Sequence, residues 1–275
     1  MTPSTQLPVR PRALVGILKE LRVSADHDRP LVVSGARELV SVLARELTRG
    51  GVSTAVREQG PVEGALALVH VLAGKPDADD EAILKQAAHA RIPIVVVTRE
   101  DLGHIPYVLD QNVVRVGPGS GLPIEEIATR LARALGEAAT PLAARLPVLR
   151  RPLCEQLIRK FSRQNAFIGL AFFVPGTDLP VLTLNQIRLV LRIADAYGFE
   201  IDSERLPEVL AVIGSALGFR AVARRTVGFI PVVGWVVRGG IAFVGTRALG
   251  EAAVRYFERR APVTRVAGAR TLFPR

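Results

Sequence analysis

Five short runs rich in β-branched residues punctuate the first 137 residues, and nothing like them follows. They are LVVS at 31–34, STAVRE at 53–58, ALALVHVL at 65–72, IPIVVVT at 92–98 and NVVRV at 112–116. Between them lie helical stretches at 36–49, 79–91 and 124–135, the last with carboxylates in its first turn and arginines later, as the helix dipole favours. Strands separated by helices, and apolar enough to be buried on both faces, require a mainly parallel sheet with helices covering each side. The expected N-terminal half is therefore an α/β domain over residues 1–137, with a further helix at 12–21 ahead of the sheet.

From Ala138 the pattern turns helical. Residues 138–152 (AATPLAARLPVLRRP) are Pro-spaced and basic and read as a linker. An all-α domain is expected over 153–262, followed by a tail at 263–275. Its first helix runs from about Leu153 to Phe173. A second, Leu184–Tyr197, is opened by a Thr183/Gln186 capping box and closed by Gly198. Ser203 caps a third reaching Arg224, and a Gly-rich helix spans Pro231–Arg259.

The 275 residues suffice for two cores of their own. Charge divides unevenly between them: residues 1–140 carry 16 basic and 17 acidic side chains, residues 141–275 carry 20 and 9. All of the net +10 thus belongs to the helical half. Only Lys19, Lys75, Lys85 and Lys160 are lysines among 36 basic residues, an arginine bias that a GC-rich genome also produces. The single cysteine, Cys154, rules out an internal disulfide and a Cys-cluster metal site, and reads as a small buried side chain. The opening MTPSTQLPVRPR has no apolar core of a secretory signal, which points to synthesis into the cytoplasm.

A strand followed by Gly35 and a helix is where a phosphate-binding loop sits, because backbone N–H groups and the helix N-terminus favour an anion. Counting GxxxxGK[ST] from Gly35 places Val40, Ser41 and Val42 where Gly, Lys and Ser/Thr are needed. The segment 64–101 resembles the stretch of an Era-like P-loop GTPase from its fourth strand to its guanine-specificity motif. Thr98, Arg99, Glu100 and Asp101 occupy that motif's NKxD positions, and only the final Asp remains. Arg57, Glu58, Gln59 and Gly60 fall at DxxG with arginine replacing the metal-organising aspartate, and residues 51–57 leave no room for a switch I loop. The loop 117–121 (GPGSG) lies where the family's last base-contacting loop would be. The resemblance thus implies a degenerate GTPase-like domain. Phosphoryl transfer rests on the P-loop lysine, Mg²⁺ and a placed water, so no catalytic residue, metal or cofactor is expected, and any residual nucleotide contact falls to Gly35 and Asp101.

The helical half carries a second likeness. Residues 165–198, with the turn residues Pro175, Gly176, Asp178 and Pro180 and the Tyr197-Gly198 ending, and residues 216–257, with Ile-Pro-Val-Val-Gly at 230–234, are similar to domain-of-unknown-function family 697. That domain occurs behind Era-like GTPase domains and in YcjF-like bacterial membrane proteins. No biochemical activity comes with the resemblance.

The window 227–246 is just long enough to cross a bilayer. Its ten Val, Ile and Phe residues favour insertion by roughly 3 to 6 kcal/mol and Arg238 opposes it by roughly 2.5 to 3.5, with Gly and Pro adding cost. Spanning helix and buried soluble helix therefore remain equally open. Ala242, Thr246 and Gly250 repeat every fourth residue and permit close helix approach in either setting. Phe229, Ile230, Trp235, Arg238, Phe243 and Arg247 are the expected contacts to an anionic membrane or a protein partner, which a second copy could supply.

Nucleic acid is a poor match for the high pI of about 10.8, because basic residues interleave with apolar helix faces and aromatics form only 5% of the chain. Asp26, His27 and Asp28 read as a solvated turn rather than a metal site. His70, His89 and His104 are scattered, and no nucleophile is paired with a base. The sequence thus points to a non-catalytic pseudo-GTPase scaffold with a helical domain that associates with the cytoplasmic face of a membrane or with a partner. The competing expectations are a divergent GTP-binding protein and a soluble regulatory protein.

Overall fold

The computed structural model describes residues 28–117, 119–171, 179–199, 209 and 234–261. The chain divides between Gln156 and Leu157 into two compact units. The first contains strands β1 (Leu31–Gly35), β2 (Val56–Glu58), β3 (Ala67–Leu72), β4 (Ile94–Thr98) and β5 (Val113–Arg115). Helices α1 (Arg37–Leu47), α2 (Ala78–His89) and α3 (Ile124–Leu135) connect or follow them. All four strand pairings are parallel, in the order β2-β1-β3-β4-β5. The expected parallel α/β domain is present. The expected helix at 12–21 lies outside the described residues.

Burial explains the layers. Every residue of β3 and β4 is buried, as a central parallel strand covered on both faces must be. Helices α1 and α3 touch each other and share one face, inserting Val40, Leu43, Ala44 and Leu47, and Ile127, Ala128, Leu131, Ala132 and Leu135, at the three- and four-residue spacing of an apolar stripe. Each fully buried leucine among them stabilises the fold by roughly 1.5–3 kcal/mol. Helix α2 covers the other face, where Leu84 and Ala87 join Val32, Leu68, Leu72 and Val96 in one cluster. Asp77 and Asp80 form a reciprocal capping box at its start.

The expected linker at 138–152 is instead an ordered part of this unit. It forms a 3-10 turn (Gly136–Ala139), helix α4 (Thr140–Arg145), a second 3-10 turn (Pro147–Leu149) and the start of α5 (Arg150–Ala171). Its prolines sit in first turns, where a missing N–H costs no intrahelical bond. Ala139, Leu142, Ala143, Leu146 and Leu149 are buried, and the Val52 amide donates to the Arg145 carbonyl at 2.9 Å.

The second unit contains the rest of α5, helix α6 (Leu179–Ala196) and helix α7 (Gly234–Arg260). Helix α6 begins five residues before the expected start, so Thr183 and Gln186 are interior rather than a capping box. Gly198 closes it as expected, left-handed at φ +79°, with the Phe199 amide reaching back to the Ala194 carbonyl at 2.9 Å. Of the expected helix from Ser203 to Arg224 only Val209 is described, helical and buried, and the tail at 263–275 falls outside the described residues.

Candidate functional site

In an open parallel sheet with this strand order, ligands bind beyond the carboxyl ends of the strands, where the chain leaves β1 and β3 for opposite faces. Here the backbone at the end of β1 is paired on both sides, with β2 and β3. Gly35 ends β1 in a left-handed conformation, φ +101°, and a Cβ on it would run into the Val71 carbonyl of β3. Helix α1 starts only two residues later, at Arg37, so no loop remains to wrap a phosphate. Val40, at the position of a P-loop glycine, is a core residue of that helix, 1% exposed. The Ala36 amide, which would face an anion, donates to Val71 O at 2.9 Å. From the β2 side, the Gln59 amide donates to Val33 O at 2.9 Å, and its side chain to Gly35 O at 3.3 Å. Arg57 turns back onto the carbonyl of Pro61. The turn after β2 is therefore held alongside the end of β1.

Asp101 is the other expected nucleotide contact. It is exposed and engaged by Arg115 of β5, with N···O distances of 3.2 and 3.1 Å, while the Gly103 amide lies at 3.4 Å. Thr98, at the first of the expected NKxD positions, is buried and turns its hydroxyl to the backbone of Glu100. In the 117–121 loop the Ser120 amide closes a turn on Gly117 O. Gly35 and Asp101 end different strands, and nothing in their contacts unites them into one binding surface.

A polar chain that sequence reasoning missed joins β1, β3 and α2. Ser34 and His70 are register partners on β1 and β3, both on the α2 side. Ser34 Oγ is 2.8 Å from His70 Nδ1, and His70 Nε2 is 2.8 Å from Asp80 Oδ1, the third residue of α2. The carboxylate accepts, so Nε2 carries the proton and Nδ1 accepts from the serine hydroxyl. That is the donor order of a nucleophilic triad. Yet Ser34 is 2% exposed and His70 0%, and the nearby Ala36 amide is already spent. The chain's role is positional: Asp80 also accepts from the Asp77 amide, so the relay ties the start of α2 to two strands. Burial lowers the His70 pKa below 6.5, against the opposing pull of Asp80 and Asp77. The available signal was a histidine inside an otherwise apolar strand, which must find a partner.

The helical unit has its own buried polar cluster. Asn165 of α5 donates to Thr246 Oγ1 of α7 at 2.7 Å, Asn185 of α6 donates to Asn165 Oδ1 at 2.8 Å, and Gln186 reaches Thr246 Oγ1 at 3.3 Å. The small-residue row of α7 makes this approach possible, since a Cβ on Gly250 would lie 2.5 Å from Ile158 Cγ1. Of the expected contact residues, Phe243 is half-buried and Arg247 is exposed and paired with Glu251 at 2.9 Å. Trp235 and Arg238 lie in the first two turns of α7, and Phe229 and Ile230 fall outside the described residues. Cys154 is buried. Among the described residues no group of His, Cys, Asp and Glu could hold a metal ion, and no helix is long and apolar enough to cross a membrane. Of the Asp26–His27–Asp28 triplet only Asp28 is described, in a turn.

No family model, curated protein or solved structure matches the chain.

Proposed function

We propose that this chain is a non-catalytic scaffold, a GTPase-like α/β unit without a working nucleotide site, joined to a helical unit that contacts an anionic membrane surface or a protein partner. The observation carrying the first half is the direct passage from Gly35 into α1, with the Ala36 amide spent on Val71. Phosphoryl transfer needs a lysine, a metal and an oriented water around a cradle of free amides. The corresponding positions here hold Val40 in the core, the exposed Ser41 and Val42, and an arginine, Arg57, bonded to its own loop. The strand order agrees with this reading, being what remains of a GTPase sheet when the strand and loop before DxxG are deleted.

The second half rests on the helical unit. Helix α7 carries Arg238, Arg247, Arg255, Arg259 and Arg260 against only two glutamates. Arginine stems lie along apolar surface while their heads reach phosphate, a division suited to the cytoplasmic face of a membrane. Calorimetric titration with GTP and GDP, with and without Mg²⁺, is the test. The expected outcome is no saturable heat with either nucleotide. Micromolar, Mg²⁺-dependent binding accompanied by turnover overturns the scaffold reading in favour of a divergent GTPase.

A further inference from the structure

Several exposed arginines are matched by carboxylates one turn away. Arg49 pairs with Glu46, Arg130 with Glu126, Arg151 with Glu155, and both Arg247 and Arg255 with Glu251. Helix α5 has such a pair only in its first two turns. From residue 156 to 171 it has no Asp or Glu at all, and Glu155, the nearest carboxylate before it, is taken by Arg151 at 3.3 Å. Arg159 and Arg163 are exposed, one turn apart on the same side. The next residue in that row is Phe167, 70% exposed and the most exposed of the large apolar side chains described.

A basic face that merely keeps the protein soluble needs no phenylalanine, and a lone exposed phenylalanine is unremarkable by itself. Together, an uncompensated cationic row ending in an aromatic ring matches a surface with phosphate on the outside and hydrocarbon a few ångströms below. We infer that the Arg159–Arg163–Phe167 row of α5 is a docking surface for an anionic lipid bilayer, the arginines meeting headgroup phosphates and Phe167 entering the acyl boundary. Nucleic acid fits less well, because base stacking needs aromatic platforms in series and this row has one ring. Each basic side chain at an anionic surface contributes on the order of 1 kcal/mol. The inference rests on the membrane half of the function proposed above.

The test is co-sedimentation of the full chain with phosphatidylglycerol-containing vesicles and with pure phosphatidylcholine vesicles. Wild type should bind the anionic vesicles only, and high salt should release it. Arg159→Glu with Arg163→Glu should weaken binding by roughly tenfold or more, and Phe167→Ser by roughly three- to tenfold. All three positions are exposed, and circular dichroism of each variant checks that the helices persist. Variants that bind like wild type overturn this surface while leaving the membrane reading intact. A wild-type protein that ignores both vesicle types overturns surface and membrane reading together. Loss of DNA or RNA retardation in the variants, with vesicle binding unchanged, assigns the row to nucleic acid instead and overturns the inference.

Discussion

The α/β unit buries an ionisable polar chain, Ser34–His70–Asp80, whereas the helical unit buries a neutral one, Asn165, Asn185, Gln186 and Thr246. Both tie together elements distant in sequence, and both are built from side chains that would be costly to leave unpaired. The ionisable chain makes its unit's stability depend on pH, while the amide cluster fixes which helix positions meet and is indifferent to pH. Above each, a glycine lets backbone or side chain come closer than any Cβ would allow: Gly35 under Val71 and Gly250 against Ile158.

The largest expected effect comes from Gly35→Ala. The methyl group would enter the space of the Val71 carbonyl, which cannot retreat without losing the Ala36 amide, and the left-handed backbone adds strain. A loss of roughly 3–5 kcal/mol is expected. Hydrogen exchange read peptide by peptide should show lost protection across β1, β3 and α2, with α6 and α7 still protected. Equal loss in α6 and α7 breaks the comparison, because the two units would then unfold as one.

The second test sets the two polar chains side by side. Thr246→Val removes the acceptor shared by Asn165 and Gln186 and should cost about 1–3 kcal/mol, the same at about pH 8 as at about pH 5. His70 behaves otherwise. Its pKa in the folded state lies below 6.5 because burial disfavours the imidazolium. Below pH 6.5 the unfolded chain takes up a proton that the native state refuses, so stability is constant above that value and falls as the pH drops through it. Urea unfolding of wild type and His70→Asn across this range checks the sign. The variant should lose this part of the slope, and an unchanged slope removes His70 as its source.

Continuous β-branched runs made β1, β3 and β4 legible, because a strand covered on both faces leaves no alternative use for such residues. The stripes of α1 and α3 were legible for the same reason at helical spacing. Two readings failed on local rules that tertiary packing overrode. Pro141, Pro147 and Pro152 suggested a linker, but prolines in first turns are compatible with helix, and the leucines among them are buried in the first unit. Thr183 and Gln186 matched a capping box, but buried Leu182 belongs to the same helix, which extends back to Leu179 and leaves Gln186 facing Thr246. The Ser34–His70–Asp80 relay was invisible, since its members are brought together by strand register and a crossover rather than by spacing. The departures from the expected P-loop and DxxG patterns were readable from Val40 and Arg57. The start of α1 was legible as well, since the expected stretch at 36–49 begins one residue before Arg37.

The smallest expected effect is also the most discriminating. Asp101 is the one residue of the expected guanine-specificity pattern that the sequence contains, and its carboxylate is held by Arg115 in a pair whose side chains are 78% and 51% exposed. A pair so hydrated contributes less than about 0.5–1 kcal/mol, so Asp101→Ala should leave the unfolding midpoint nearly unchanged. In a working site the same substitution would abolish guanine recognition; here it should leave the calorimetric response to GTP and GDP at the wild-type baseline. A nucleotide signal present in wild type and lost in Asp101→Ala would mean that Arg115 releases the carboxylate to a base. The α/β unit would then be a ligand-responsive element rather than a closed support. With both proteins silent, Asp101 is a surface ion-pair partner, and the search for this chain's ligands moves to the uncompensated basic row of α5.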